Sequence, residues 1–458
     1  MSQFDVDIES LNSSGDGVAR VGGQPVTVPL TIPGERVRIR LPPPMKARGP
    51  ARQDPPYASL VEVLRPSPHR VAAPCPHFGP CGGCSWQHIA YPEQLRLKTE
   101  LVSDLVRAAV PGAPNARPTL PSTPIDNPWG YRHKVHFVFD DTEVRGKGPH
   151  PLVMGHYIRG SRRVLQVREC PVHAPRGNGV AFEFNAAFRK ARVEGDRGGL
   201  RGLAVRVGAG TDEVMTTLIV SKDADRRTRE ATRAAQARQP SSSSLHVNMH
   251  TRRDGYIFGR DTKRIAGPER MREVVGGASF LVSPTAFFQT NIAAAEILVA
   301  LVAAEVPPTA RVLDLYAGAG LFAIPLAMAG HQVVAVEENR QAVADGEASA
   351  RLNRIGPERC RFLARSAAAY TEQPTSFDVV ILDPPREGSE PPVLEHVFRR
   401  LRPARAIYIS CNPEALARDL ALIVADGYRI QSMQPVDMFP HTAHIETVVV
   451  LARQKPVG

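Results

Sequence analysis

The chain opens with short stretches in which apolar and polar positions alternate, the period-two signature of strands with one wet face. Phe4-Asp-Val-Asp-Ile-Glu9 and residues 26–32, 36–41 and 57–64 follow this pattern, and Ser13-Ser-Gly-Asp-Gly17 and Pro33-Gly34-Glu35 interrupt it as turns. Several short strands within residues 1–66 predict a small β-barrel of the oligonucleotide-binding type. Helical spacing takes over at 91–110, followed by a Pro-rich connector at 111–128 and strands at 131–139, 154–158, 203–207 and 214–220. A charged helix is expected over 222–239, ahead of a polar loop at 240–244. From residue 284 the pattern changes again, to an apolar helix over 292–305 and unbroken apolar strands at 332–337, 377–383 and 406–409, with a closing strand at 447–451. Unbroken apolar runs mark strands buried on both faces, and their alternation with helices predicts a parallel, doubly wound sheet. The expected fold class is therefore α/β: a C-terminal Rossmann-like sheet in residues 281–458, preceded by the barrel of residues 1–66 and a strand-rich central domain in residues 67–280. The pattern of the 91–110 helix does not say which domain it packs against.

A length of 458 residues supports two to three domains, each with its own core. A formal net charge of +11 favours a polyanionic partner, RNA first. Basic residues interleave with aromatics at 131–137 and 156–163, which suits phosphate contacts, although an edge strand blocked by charges is an equally simple account. A basic loop is expected at Pro42-Pro-Pro-Met-Lys-Ala-Arg-Gly-Pro50. The N-terminus is acidic and is not expected to be a signal peptide, and the longest apolar run, 297–304, falls far short of the ~20 residues that span a bilayer. A cytoplasmic monomer with no membrane partner is expected.

Three of the cysteines fall within one short segment, Cys75-Pro-His-Phe-Gly-Pro-Cys81-Gly-Gly-Cys84. In a reducing compartment such clustering favours a metal site over disulfides. Cys170, in Arg168-Glu-Cys-Pro-Val-His173, is the natural fourth ligand, and four thiolates suit Zn²⁺ or an iron–sulfur cluster equally on spacing. His77, His88 and His173 flank these cysteines and fit structural or solvent-facing roles.

The strongest chemical signal lies near the C-terminus. An apolar strand delivers Cys411 into the turn Ser410-Cys-Asn-Pro413, where Asn412 caps a following helix. A thiol beside a helix N-terminus is expected to be drawn toward the thiolate, so Cys411 reads as a nucleophile. Asp314-Leu-Tyr-Ala-Gly-Ala-Gly320 is a strand running into a Gly-rich turn, and the next strand ends in Glu337. Glycines allow close ligand approach and the carboxylate takes ribose hydroxyls. The missing third dinucleotide glycine points to S-adenosylmethionine over NAD. Asp383-Pro-Pro-Arg386 stands at a strand end, and Glu446 precedes the terminal strand as a general-base candidate. Cys360 reads as core.

In order along the chain, these segments resemble the RNA 5-methyluridine methyltransferases, of the bacterial ribosomal-RNA type with a TRAM domain and an iron–sulfur cluster. The resemblance rests on Gly-Asp-Gly-Val-Ala-Arg20, the four cysteines, Phe287-Phe-Gln-Thr-Asn291, Asp314 to Gly320, Asp383-Pro-Pro-Arg386, Ser410-Cys-Asn-Pro413 and Phe439-Pro-His-Thr-Ala-His-Ile-Glu446. It implies a class I methyltransferase sheet, with Cys411 as nucleophile and Glu446 as base. It also implies that Gln289, Tyr316, Gly318, Gly320, Glu337 and Asp383 bind S-adenosylmethionine or the target uracil, and that Phe287 touches the flipped base. It favours a [4Fe–4S] cluster over zinc on Cys75, Cys81, Cys84 and Cys170. Ribosomal RNA is the expected substrate, with transfer RNA the alternative. An amino-group methyltransferase, or an RNA-binding protein without catalysis, are the rival readings, and neither needs both Cys411 and Glu446.

Overall fold

The computed structural model describes residues 2–42, 56–141, 152–252, 256–370 and 376–454. The basic loop expected at 42–50 lies, from residue 43 onward, outside the described residues. At the N-terminus two small antiparallel sheets face each other: Gln3–Asp7, Arg36–Arg40 and Ser59–Arg65 form one, and Ser10–Leu11, Gly17–Val21 and Gln24–Val28 the other. Val6, Ile8, Val26, Val28, Val37 and Ile39 fill the space between them, the inward half of the alternating pattern. Buried Glu35 fastens this unit to the segment beyond its last strand by a two-pronged pair with Arg70, at 2.5 and 2.7 Å.

The central part is a seven-stranded sheet in the order Asp261–Ala266, Ser244–Met249, Val214–Val220, Leu200–Val207, Lys134–Asp141, Leu152–Tyr157 and Val164–Gln166. Phe184 and Phe188 of the helix Pro175–Lys190 and Ala231 and Ala235 of the helix Arg226–Gln236 pack in its core. One expectation fails here. The edge-strand account of residues 131–137 is the one that fails: Lys134–Asp141 is an interior strand paired on both sides, with Val135 and Phe137 fully buried and Lys134 and His136 half-buried on the opposite face. Burial drives the Lys134 ammonium down to about 7, aided by Arg206 and Arg132. A basic strand becomes interior when both its neighbours pair with it, and single-strand patterning does not report that.

The C-terminal sheet runs Cys360–Ala364, Gln332–Glu337, Arg311–Leu315, Val379–Leu382, Arg405–Ser410, Glu446–Arg453, Tyr428–Val436. Its first five strands are parallel and the last two antiparallel to their neighbours. Numbered within the sheet, the order is 3-2-1-4-5-7-6, so the chain reverses between the first and fourth strands, where ligands of open α/β sheets bind. Cys360 is buried in its core.

The helix Tyr91–Ala109 packs on this sheet: Val102 and Val106 share a core with Leu313, Tyr408 and Leu420. Its Lys98 is fully buried and donates to Asp437 Oδ1 at 2.5 Å and to the Phe439 carbonyl at 3.2 Å. The connector then lies along the edge strand, with Leu120 bridged to Val436. Breaking a buried pair strands one charge and costs about 3–5 kcal/mol. Lys98→Ala should therefore lower the urea midpoint of the C-terminal unit markedly, whereas Lys98→Met with Asp437→Leu should recover most of the loss. Circular dichroism of both variants checks this.

Candidate active site

The last two strands to join the sheet build the site. Arg405–Ser410 and Glu446–Arg453 are antiparallel in the register Ser410↔Thr447, so Cys411 and Glu446 stand opposite each other one step beyond the last pair. Asp383 follows Leu382, which is level with Tyr408 on the other neighbour of the Cys411 strand. One thiol and two carboxyls thus arrive at one sheet edge by topology alone. Asn412 fixes the turn: its Oδ1 accepts from Glu414 N at 3.0 Å and its Nδ2 donates to the Arg386 carbonyl at 2.9 Å. The first bond caps the helix Pro413–Ala425, and the second ties the Cys411 turn to the Asp383-Pro-Pro-Arg386 turn.

Burial dominates the electrostatics. It raises Asp383 to about 7. It raises Glu446 well above the ordinary carboxyl range, with Asp383 adding to the effect and Arg386 opposing it. Cys411 is pushed up to about 12 by burial, then by Glu446 and Asp383, again against Arg386. The expected pull of the helix N-terminus toward thiolate is opposed first by burial and then by the two neighbouring carboxyls. Arg386 opposes both shifts, a role that its sequence context alone does not assign. The signal that could have found it is its place three residues after Asp383.

The Gly-rich turn lies one strand over. Tyr316 and Gly318 both have left-handed backbone, at φ 64° and 56°. A Cβ at Gly318 would meet nothing within 4 Å, so the turn faces open space there. At Gly320 a Cβ would stand 2.7 Å from Phe362 Cζ, so that glycine is needed for packing. Glu337 accepts from Gly318 N at 3.0 Å and from Asn339 N at 2.8 Å, leaving lone pairs on both oxygens for a ligand's hydroxyls. Tyr316 Oη lies 3.2 Å from Ser389 Oγ. Asp314 is fully buried, and neither of its carboxylate oxygens has a hydrogen-bond partner of ordinary geometry. Burial, then Asp383, raises it far above its usual range. Asp314 joins Arg386 among the residues that sequence reasoning did not assign. An open glycine cradle beside the Glu337 carboxylate, with the buried Asp314 carboxyl on the strand that leads into it, fits a cofactor with ribose hydroxyls and a positive charge such as S-adenosylmethionine.

Phe287, Gln289 and Asn291 precede the helix Ile292–Ala304. Phe287 is 73% exposed while Phe288 and Gln289 are buried. Asn291 caps the helix through Ala294 N at 3.1 Å and donates to the Met438 carbonyl at 2.9 Å, which ties this segment to the loop ending at Glu446.

Cys75, Cys81, Cys84 and Cys170 are brought together although Cys170 is distant in sequence. Gly82 N bonds the Tyr157 carbonyl, Arg159 holds the Cys84 carbonyl at 2.7 Å, and Gly83 N points at Cys81 Sγ at 3.4 Å. Burial, then the neighbouring thiols, raise Cys84 to about 11, and burial and then Cys84 raise Cys170 to about 12. Four convergent thiols are the donor set of either a zinc ion or an iron–sulfur cluster. Among the described residues His156, Cys170 and His173 also place their ligand atoms within 4.8 Å of one another.

Residues 207–454 match the tRNA (uracil-5-)-methyltransferase family, and residues 2–41 match the TRAM domain. The chain belongs to the tRNA (uracil-5-)-methyltransferase family. It is a methyltransferase that uses S-adenosylmethionine to methylate uracil C5 in RNA. An uncharacterized RNA methyltransferase of Gloeobacter violaceus is 36% identical over 98% of this chain and 96% of its own length. One of Thermosynechococcus vestitus is 34% identical over 97% and 96%. The crystal structure of Pyrococcus abyssi tRNA (uracil-54, C5)-methyltransferase with S-adenosyl-L-homocysteine covers 98% of this chain and 99% of its own, at a TM-score of 0.77 and 26% identity. Among the described residues, no helix is long and apolar enough to cross a membrane.

The opposed charges around Cys411 give a pH prediction for this methyltransferase. At neutral pH the thiol is protonated, so iodoacetamide should modify Cys411 slowly, faster as pH rises. Asp383→Asn removes a charge that raises the thiol and should speed modification. Arg386→Ala removes one that lowers it and should slow modification, by about tenfold for each pK unit gained. Mass spectrometry of the Cys411 peptide reads all three rates.

Proposed function

We propose that this enzyme methylates a uridine of ribosomal RNA through a covalent Cys411 adduct, acting as a cytoplasmic monomer. The observation that carries the proposal is the pairing of Cys411 opposite Glu446 at one sheet edge, with Asp383 on the neighbouring strand. Uracil C5 is a weak nucleophile. Addition of the Cys411 thiolate to C6 forms a C–S bond and shifts an electron pair toward C5, which can then accept a methyl group. Bound S-adenosylmethionine supplies that methyl group and a positive charge. Positive charge held near Asp383 removes part of what opposes the Cys411 thiolate, and the thiol proton leaves to solvent. Glu446 then takes the C5 proton, the C5–C6 double bond re-forms and the thiolate is expelled. A carboxylate whose pKa is raised is the stronger base, which suits a carbon-bound proton.

Gln289, Tyr316, Gly318, Gly320, Glu337 and Asp383 are the proposed cofactor and uracil contacts, with Gly320 acting through its packing on Phe362. Phe287 is the proposed stacking partner of the extruded base, since an aromatic ring left in solvent beside a buried neighbour suits that use. Cys75, Cys81, Cys84 and Cys170 are proposed to hold a [4Fe–4S] cluster, a reading supported by the convergence of four thiols from two segments of the chain. Ribosomal RNA is favoured by the resemblance of the motif series, the four cysteines included, to the bacterial ribosomal-RNA type. Transfer RNA is the second reading, favoured by the named substrate of the Pyrococcus abyssi neighbour.

Nucleosides from ribosomal and transfer RNA of a strain lacking the gene test the substrate. One 5-methyluridine should vanish from ribosomal RNA, returning with wild type and not with Cys411→Ala. Loss from transfer RNA alone would select the second reading, and an unchanged 5-methyluridine content would refute both. Protein purified without air should carry iron and inorganic sulfide in equal amounts, and Cys75→Ser or Cys170→Ser should lose both. A single zinc that survives Cys75→Ser and is lost with His156→Ala would place the metal on the compact His156, Cys170 and His173 group instead.

A further inference from the structure

The loop from Asp437 to Ile445 ends at Glu446, yet its own bonds hold it weakly. Within it Thr442 reaches the Phe439 carbonyl through its N–H at 3.3 Å and its hydroxyl at 2.8 Å, and His444 N reaches Thr442 Oγ1 at 3.2 Å. Most of its anchors come from remote parts of the chain. His441 has left-handed backbone at φ 67°, a strained conformation for a residue with a Cβ, and its carbonyl accepts from both Ser85 N at 3.0 Å and Trp86 N at 2.9 Å. Its own N–H donates to Gln94 Oε1 at 2.8 Å, and its ring stacks on Trp129 with centroids 3.7 Å apart. Tyr131 Oη donates to the Pro440 carbonyl at 3.0 Å.

The barrel joins at the same place. Trp86, 1% exposed, donates its indole N–H to the Gly15 carbonyl at 2.8 Å. Gly15, at φ 77°, has no room: a Cβ there would lie 2.3 Å from Ala443 Cβ and 2.8 Å from Trp86 Nε1. Ile32 and Ala443 share one small core with Trp86, Ile89 and Leu97. Barrel, cysteine segment and base loop therefore interlock at a single point, three residues before Glu446.

We infer that this junction positions the general base: Gly15, Trp86 and His441 are positioning residues that hold Glu446 opposite Cys411, so the RNA-binding barrel is built into the proton-removal step. The inference rests on the reading of Glu446 as the base. Displacing the loop should spare thiolate addition and methyl transfer, whose groups sit on other strands, and slow removal of the C5 proton. Methylated enzyme–RNA adduct should then accumulate.

The test uses full-length protein, total RNA from a strain lacking the gene and S-adenosylmethionine labelled in its methyl group. It reads turnover, RNA affinity and labelled adduct that survives denaturing electrophoresis. Glu446→Gln should stall as labelled adduct and sets the reference. Gly15→Ala should behave likewise, with turnover down on the order of tenfold to a hundredfold and RNA affinity unchanged. Gly23→Ala is the control: its φ of 80° gives the same backbone strain in the same barrel, with nothing within 4 Å of the new Cβ. Ala443→Gly added to Gly15→Ala removes the closest clash, leaves the approach to Trp86, and should restore part of the turnover. The inference is overturned if Gly15→Ala matches Gly23→Ala, if turnover and adduct fall together, or if Ala443→Gly restores nothing. Should Glu446→Gln itself fail to accumulate adduct, the base assignment fails and the junction's role falls with it.

Discussion

Dehydration at one sheet edge governs this molecule's chemistry. The antiparallel terminal strand brings Glu446 level with Cys411, the parallel neighbour brings Asp383 alongside, and the surrounding strands bury Glu446 and half-bury the other two. Each group is therefore driven toward its neutral form, and each carboxylate makes the thiolate harder to form. Arg386 opposes both the Glu446 and Cys411 shifts, and it does not balance the buried negative charge. The methyl donor of this family is itself a cation, and positive charge beside Asp383 would, under the proposed mechanism, ease ionisation of the Cys411 thiol.

Holding such a site together falls to long-range contacts more than to the strands that carry it. Lys98, on a helix far earlier in the chain, ends in a dry pocket against Asp437 and the Phe439 carbonyl. Asn291 reaches the Met438 carbonyl from the opposite side. Both bonds land on the segment between the two last strands, the stretch that regular hydrogen bonding leaves free. Its geometry is thus held from several parts of the chain at once: Lys98 on the early helix, Ser122 in the connector, Tyr131 beyond it and Asn291.

The parts legible in the sequence were those fixed by local chemistry. Strands of the C-terminal sheet announced themselves as solid apolar runs, and Val214–Val220 and Gln332–Glu337 fall where the pattern put them. The edge strand Tyr428–Val436 did not, because Arg429, Gln431, Ser432 and Gln434 give it a polar face. The helix Pro175–Lys190 was hidden by its two glycines, which lower intrinsic propensity until the phenylalanines pack. The mate of the Tyr91–Ala109 helix was unreadable for a different reason: amphipathicity says that a face is buried, not what buries it. At the site, Cys411, Asp383 and Glu446 stand out in the sequence, whereas their mutual electrostatics do not. The helix terminus next to Cys411 could be read from Asn412 and Pro413, whereas the opposing carboxylates come from two other strands and appear only once the sheet is assembled.

That division bears on Gly15 and Gly320 as well. Both look like permissive turn residues in the sequence, and both have left-handed backbone. Yet the space a side chain would need at Gly320 is taken by Phe362, and at Gly15 by Ala443 and Trp86. Conformational freedom explains why glycine can stand at these positions, and steric exclusion explains why nothing larger fits. At Gly318 the backbone has the same hand but the space is open, so there it is the approach of a ligand, and not of another side chain, that a Cβ would obstruct.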